Sequence, residues 1–329
     1  MEDRMVRLPW LWAGLLVLAA GCADEPADPA APAARIAVAT SYLGAAARDL
    51  LDEDVALVEL CAPGTCPGHF DITPGHLSRI RRCRLLLRFD FQKHFDAKLQ
   101  AAIDDGLGVV EVPESGDPCE PDTYRAACRT VGDALVGEGF LSQSAADARL
   151  RAIDVRLTAL AVAVRSQVRK AGLAGAPVVA ANHQGGFCRW LGLSVAATFD
   201  ATDDPAAVNR AVGDARGAEA RLVVGNVPVG RVLADRFAEA LSAPVVMFDN
   251  FPLTAEGRRG YDAMVRRNVA RLCEAAAETR GAAGPGATDC SPIRVHPAGQ
   301  DRPGHTRSIM VRGGPGDPPR RKLDPKETP

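Results

Sequence analysis

One amphipathic stretch divides this chain and limits what it can fold into. From Ser144 the apolar residues Leu150, Ile153, Leu157, Leu160, Val164 and Val168 recur at spacings of three and four, which is one face of a single helix. Ser144, with Asp147 three residues on, is the expected N-cap, and Gly172 the expected stop. A helix over 144–171 would be about 40 Å long at 1.5 Å per residue, wider than one small domain. Four short apolar β-type runs precede it (36–40, 55–60, 85–87 and 109–112) and four follow it (178–181, 195–198, 222–224 and 245–248). Helical stretches separate most of these runs, as in βαβ units with buried parallel strands. The expected fold class is therefore α/β: two similar lobes with parallel sheets, joined by one long helix, with a ligand site in the cleft between them.

The ends of the chain read differently. Residues 1–21 carry Arg4 and Arg7, a short apolar run and small residues before Gly21-Cys22, the pattern of a secretory signal. The apolar run is too short to span a bilayer as a mature helix. The Gly-Cys ending resembles a bacterial lipobox, which makes Cys22 the expected lipidated first residue, although Ala19 stands where such boxes usually place Leu. Residues 22–34, rich in Pro, Ala and Asp, are an expected flexible tether, and residues 281–329 an expected disordered Gly/Pro-rich tail. Between them lie an N-terminal lobe (35–141), the connecting helix (142–172) and a C-terminal lobe (173–280), about 245 residues in all. The expected location is the cell envelope, outside the cytoplasm.

Composition excludes some classes. A formal charge of −2 argues against a basic nucleic-acid surface, and 5% aromatic residues against stacking platforms for bases. No phosphate-binding P-loop, dinucleotide fingerprint, H-E-x-x-H or G-x-S-x-G motif is present, so enzymatic function is not expected. The eight cysteines beyond Cys22 would, in an oxidising compartment, pair by default as disulfides.

Open parallel sheets bind ligands beyond the carboxyl ends of their strands, and here those places hold metal-ligating residue types. Cys61-Ala-Pro-Gly-Thr-Cys66-Pro-Gly-His69 follows the second run, Gly116-Asp117-Pro118-Cys119 the fourth, Asn182-His183 the fifth and Asp249 the eighth. Of six histidines, His296 and His305 fall in the tail and His76 and His94 in helical stretches, which leaves His69 and His183, one per lobe. His, Cys and Asp are good ligands for tetrahedral Zn2+. Each has another reading: His69 and His183 as hydrogen-bonded histidines, Asp249 as a helix cap, and Cys119 as half of a disulfide with Cys61, Cys66 or Cys128. Cys61 and Cys66 could themselves close a small loop, or Cys66 could add a ligand.

Four segments, in order, resemble motifs of the zinc/manganese substrate-binding proteins of ABC importers, the ZnuA/TroA-like family. Pro67-Gly68-His69-Phe70-Asp71-Ile72-Thr73-Pro74 is similar to that family's D-P-H-x-Y-x-P-T-P, and Asp117-Pro118-Cys119 to D-P-H-x-W, with Cys in the usual second-His place. Asn182-His183-Gln184-Gly185-Gly186-Phe187 with Leu191-Gly192-Leu193 is similar to x-H-x-A-F/Y-x-Y…Y-G-L. The run 245–249 followed by Tyr261-Asp262-Ala263-Met264-Val265-Arg266-Arg267-Asn268 is similar to V-V-x-L-D…Y-x-x-M-M-R-x-N. The resemblance implies metal capture by His69 and Cys119 from the first lobe and His183 and Asp249 from the second. It also implies a monomer that delivers its metal to an ABC permease. Zn2+ is the expected ion, with Mn2+ and Cu+ as alternatives. A scavenger or metallochaperone without a permease, and a mononuclear zinc hydrolase, are the rival readings; no Glu stands beside either histidine to serve the latter.

Overall fold

The computed structural model describes residues 36–51, 55–62, 67–68 and 70–282. The signal and tether with Cys22, the tail from 283 with Cys290, and residues 63–66 and 69 of the second strand-end loop, Cys66 and His69 among them, lie outside the described residues.

All eight apolar runs are strands, in two four-stranded parallel sheets. The first contains β1 (Ile36–Val38), β2 (Leu57–Glu59), β3 (Leu85–Phe89) and β4 (Gly108–Val112) in the order β2-β1-β3-β4. The second contains β5 (Pro177–Ala181), β6 (Ser194–Phe199), β7 (Leu222–Asn226) and β8 (Val245–Phe248) in the order β6-β5-β7-β8, so the two sheets repeat one topology. Central strands are buried on both faces: Leu85, Leu86 and Leu87 are fully buried, as are Val178, Val179 and Ala180. That explains why these segments read as continuous apolar runs without alternation.

Helices cover both faces of each sheet. In the first lobe they are α1 (Ser41–Leu50), α2 (Pro74–Ile80), α3 (Asp96–Asp104) and α4 (Pro121–Gly137). The strut is α5 (Gln143–Lys170), and the second lobe adds α6 (Asn182–Leu191), α7 (Pro205–Gly217), α8 (Val232–Leu241) and α9 (Gly260–Ala282). The strut's cap lies two residues before the expected one. Ser142, in extended conformation, accepts the amide of Ala145 at 3.3 Å, while Asp147 accepts from the Gln143 side chain at 2.9 Å. Polar first-turn residues carry no apolar periodicity, so the pattern could not locate the start. Its C-terminal end agrees, with Gly172 at φ 67°, a left-handed position that favours glycine.

One core joins both inner sheet faces around the strut. It includes Leu87, Leu157, Leu160, Val164 and Val178, with Phe187 of α6 and Met264 and Val265 of α9. Helix α9 packs against α1 as well as α5, so the last element among the described residues returns to the first lobe. The chain's three tyrosines, Tyr42 of α1, Tyr124 of α4 and Tyr261 of α9, form one buried stack at this junction. The Tyr124 and Tyr261 rings are parallel at 3.8 Å, and Tyr42 meets them edge-on at 5.3 and 6.1 Å. Separate outer cores hold α2 and α3 on the first sheet and α7 and α8 on the second.

Candidate metal centre

The carboxyl ends of β3, β4, β5, β7 and β8 converge on a cavity of about 310 Å³ between the lobes. The first lobe contributes Pro67, Gly68, Phe91 and Glu114, and the second His183, Asn226, Pro228, Val229, Asn250 and Phe251. His183 is exposed to this space from the first turn of α6, which starts directly where β5 ends. Glu114, two residues beyond β4, faces it. The cleft walls desolvate the Glu114 carboxyl and raise it, while the nearby His183 pulls it back down. The Glu114 amide donates to Asp90 at 3.3 Å, which fixes the backbone at the start of this loop. Asp200, just past β6, is held by the Thr202 amide at 3.0 Å and hydroxyl at 2.9 Å; these bonds lower its carboxyl, with a smaller effect from His183.

Of the four expected ligands, only His183 opens onto the cavity among the described residues, and Gly68, the residue before His69, is part of the cavity wall. Cys119 is turned away. Its fully buried sulfur lies 3.2 Å from the Asp249 carbonyl and 3.6 Å from the Asn268 amide nitrogen, and burial pushes the thiol well above its ordinary range. The charges that act on it, Asp117 and Asp249, oppose a thiolate. Asp249 is also committed: its carboxylate meets Arg267 at 3.2 Å and Arg271 at 3.0 Å. Among the described residues no three His, Cys, Asp or Glu side chains are grouped to hold a metal ion. Cys119 and Asp249 thus stand apart from His183 in this structure: the thiol is buried against the second lobe's Asp249 carbonyl, and the carboxylate is paired with two arginines of its own lobe. The default disulfides are also absent at three positions: Cys119, Cys128 and Cys188 are buried thiols. Cys61 is buried beyond β2, and Cys66, one of the partners it could take, lies outside the described residues.

Segments that resemble family motifs form instead a clasp. Asp117 accepts the amide of Cys119 at 3.0 Å and, across the lobes, that of Phe187 at 2.8 Å. Burial raises the Asp117 carboxyl to about 7 against these two bonds. The Tyr261 hydroxyl donates to the Cys119 carbonyl at 2.8 Å, and the Asn268 side chain brackets Asp249, accepting its N–H at 3.0 Å and donating to its carbonyl at 2.8 Å. Gly186 permits this approach: a Cβ there would lie 2.8 Å from a Glu120 oxygen and 3.0 Å from the Asp117 Cβ. On the far side of the tyrosines, Asp49 accepts from Tyr124 at 2.9 Å, Arg156 at 2.9 Å and the Arg259 amide at 3.3 Å, joining both lobes and the strut. Sequence reasoning missed Glu114. Its only signal was a carboxylate close behind a strand end, five residues before the more conspicuous Cys119 motif.

By sequence, the chain matches no family model and no curated protein. By structure it has the two-lobed α/β fold of periplasmic metal-binding proteins. The periplasmic zinc-binding protein TroA from Treponema pallidum superposes with a TM-score of 0.60 at 14% identity, over 74% of this chain and 99% of that one. The substrate-binding protein FpvC from Pseudomonas aeruginosa, in complex with Mn2+, gives 0.62 at 13% identity, over 75% and 100%. A Mn-bound periplasmic metal-binding protein from Candidatus Liberibacter asiaticus gives 0.60 at 11% identity, over 74% and 99%. The resemblance expected from the four motifs thus holds at the level of the fold.

Proposed function

We propose that this chain is an exported receptor that captures a transition-metal ion, Zn2+ in the first instance, and delivers it to an ABC permease, anchored to the membrane through lipidated Cys22. The observation that carries this reading is the cleft itself, with Glu114 from one lobe and His183 from the other at a cavity whose wall includes Gly68, the neighbour of His69. Metal capture here is chelation without turnover: His69, His183 and Glu114 replace part of the ion's water shell, and the strut keeps the lobes near their bound orientation. A His₂/carboxylate set suits Zn2+ and accommodates Mn2+. Because ligands bind deprotonated, affinity should fall as pH drops through the histidine range.

The test is a competitive Zn2+ titration of the mature, chelator-stripped protein. His183→Ala and Glu114→Ala should each weaken binding by at least about tenfold, whereas Cys119→Ser should leave it unchanged. Loss at Cys119→Ser would return the thiol to the site. Unchanged affinity in both His183→Ala and Glu114→Ala would refute metal capture in this cleft.

A further inference from the structure

A second cavity, of about 390 Å³, lies wholly in the second lobe beyond the ends of β5, β6 and β7. It sits where α6 leaves β5 toward one face of the sheet and α7 and α8 cover the other, the crevice in which open parallel sheets bind ligands. It adjoins the cleft, because Asn226 and Val229 line both. Its volume is that of a small-molecule pocket and far beyond the needs of a bare ion.

The lining is apolar with a few polar groups of distinct character. Phe199, Val208 and Leu233 form apolar walls. Asn226, also in the lining, is 2% exposed, and its buried Oδ1 has no hydrogen-bond partner among the described residues. A buried, unsatisfied amide oxygen carries its full desolvation cost, which a ligand N–H would remove once the Asn226 amide turns toward the cavity. At the rim stand one carboxylate, Asp203, and one guanidinium, Arg236. Arg236 forms no ion pair among the described residues. Asp203 accepts the Asp200 amide at 2.8 Å on Oδ2, which leaves its other oxygen for a ligand. A ligand matching this set carries a carboxylate for Arg236, an N–H-rich cation for Asp203 and Asn226, and an apolar body for the walls.

We propose that this cavity binds a small zwitterion of the amino-acid class with an apolar side chain. The site does not rest on the metal reading, and its position beside the cleft lets one protein hold two ligands.

Calorimetric titration of the metal-stripped mature protein tests it with three probes: L-leucine, 4-methylpentanoate (its carboxylate half) and 3-methylbutylamine (its ammonium half). Leucine should bind, and each half should bind more weakly by about tenfold or more, the worth of one charge-assisted hydrogen bond. Arg236→Gln, at an exposed position that the fold does not need, should weaken leucine and the carboxylate alike and leave the amine unchanged. No binding of leucine overturns the site. Equal binding of leucine and either half overturns the zwitterion, and unchanged leucine affinity in Arg236→Gln overturns the assigned role of that residue. A Zn2+ titration of the same sample separates the two readings: leucine binding without Zn2+ binding defeats only the receptor, and Zn2+ binding without leucine binding defeats only this site.

Discussion

Glu114 and Cys119 leave the same strand end, five residues apart, and finish in opposite surroundings. Glu114 faces an open cleft beside His183, and among the described residues no arginine or lysine consumes its carboxylate. Cys119 is sealed between the lobes, with its amide, carbonyl and sulfur all bonded. A strand-end loop in a two-lobed protein thus has two tasks. The part that reaches the other lobe's backbone becomes structure, and only the part that stops short of it remains available to a ligand. A cysteine in a ligand's usual sequence position is a poor guide unless its surroundings favour the thiolate.

Breaking the sealed side should cost stability. The largest effect is expected at Asp49, whose side chain is 3% exposed and holds Arg156, Tyr124 and Arg259 together. Asp49→Ala leaves Arg156 with Asp262 alone, at 3.4 Å, and takes the acceptor from Tyr124 and the Arg259 amide; it should destabilise the protein by about 3 kcal/mol or more in a urea melt; a loss below about 1 kcal/mol would show that the network is a solvated surface pair. Next comes Gly186→Val, which forces side-chain atoms against Asp117 and Glu120. Overpacking of this kind should cost about 1–3 kcal/mol, read as a lower melting temperature, and an unchanged value would mean that the lobes separate at no cost.

The last effect is a slope with pH. Because burial holds the Asp117 carboxyl at about 7, the folded protein keeps a proton that the unfolded chain releases near pH ~4. The folded state therefore binds more protons across that window, and stability should fall as pH rises from about 4 through 7, by at most about 1.4 kcal/mol per unit. Asp117→Asn should flatten this slope when melts are compared at several pH values. An identical slope in both proteins would show that Asp117 ionises freely and is not sealed.

Much of the fold was legible because its signals are local. Eight apolar runs fell on eight strands, and Ile153, Leu157, Leu160, Val164 and Val168 are all buried on one face of the strut. The strut's first turn was not legible, since Gln143 and Ser144 are polar and either Ser142 or Ser144 could cap it. In the site, His183 was legible from its place after a buried strand. The engagement of Asp249 with Arg267 and Arg271 was not: 18 and 22 residues separate the partners, and nothing local marks a carboxylate as already neutralised. The return of α9 to α1 was hidden for the same reason, because a helix's own apolar stripe does not say which distant helix it will meet.

Burial periodicity is written residue by residue, so the order of residues was enough to set the alternation of strands and helices, the length of the strut and the doubling of one four-stranded lobe. It also set which chemical groups stand at strand ends. Which of those groups meet was left to the packing of the lobes. Closing them around Tyr42, Tyr124 and Tyr261 buries some polar groups, which must then find partners within the protein, and leaves others facing the cleft. Cys119 and Asp249 went to the first set, and Glu114 and His183 to the second.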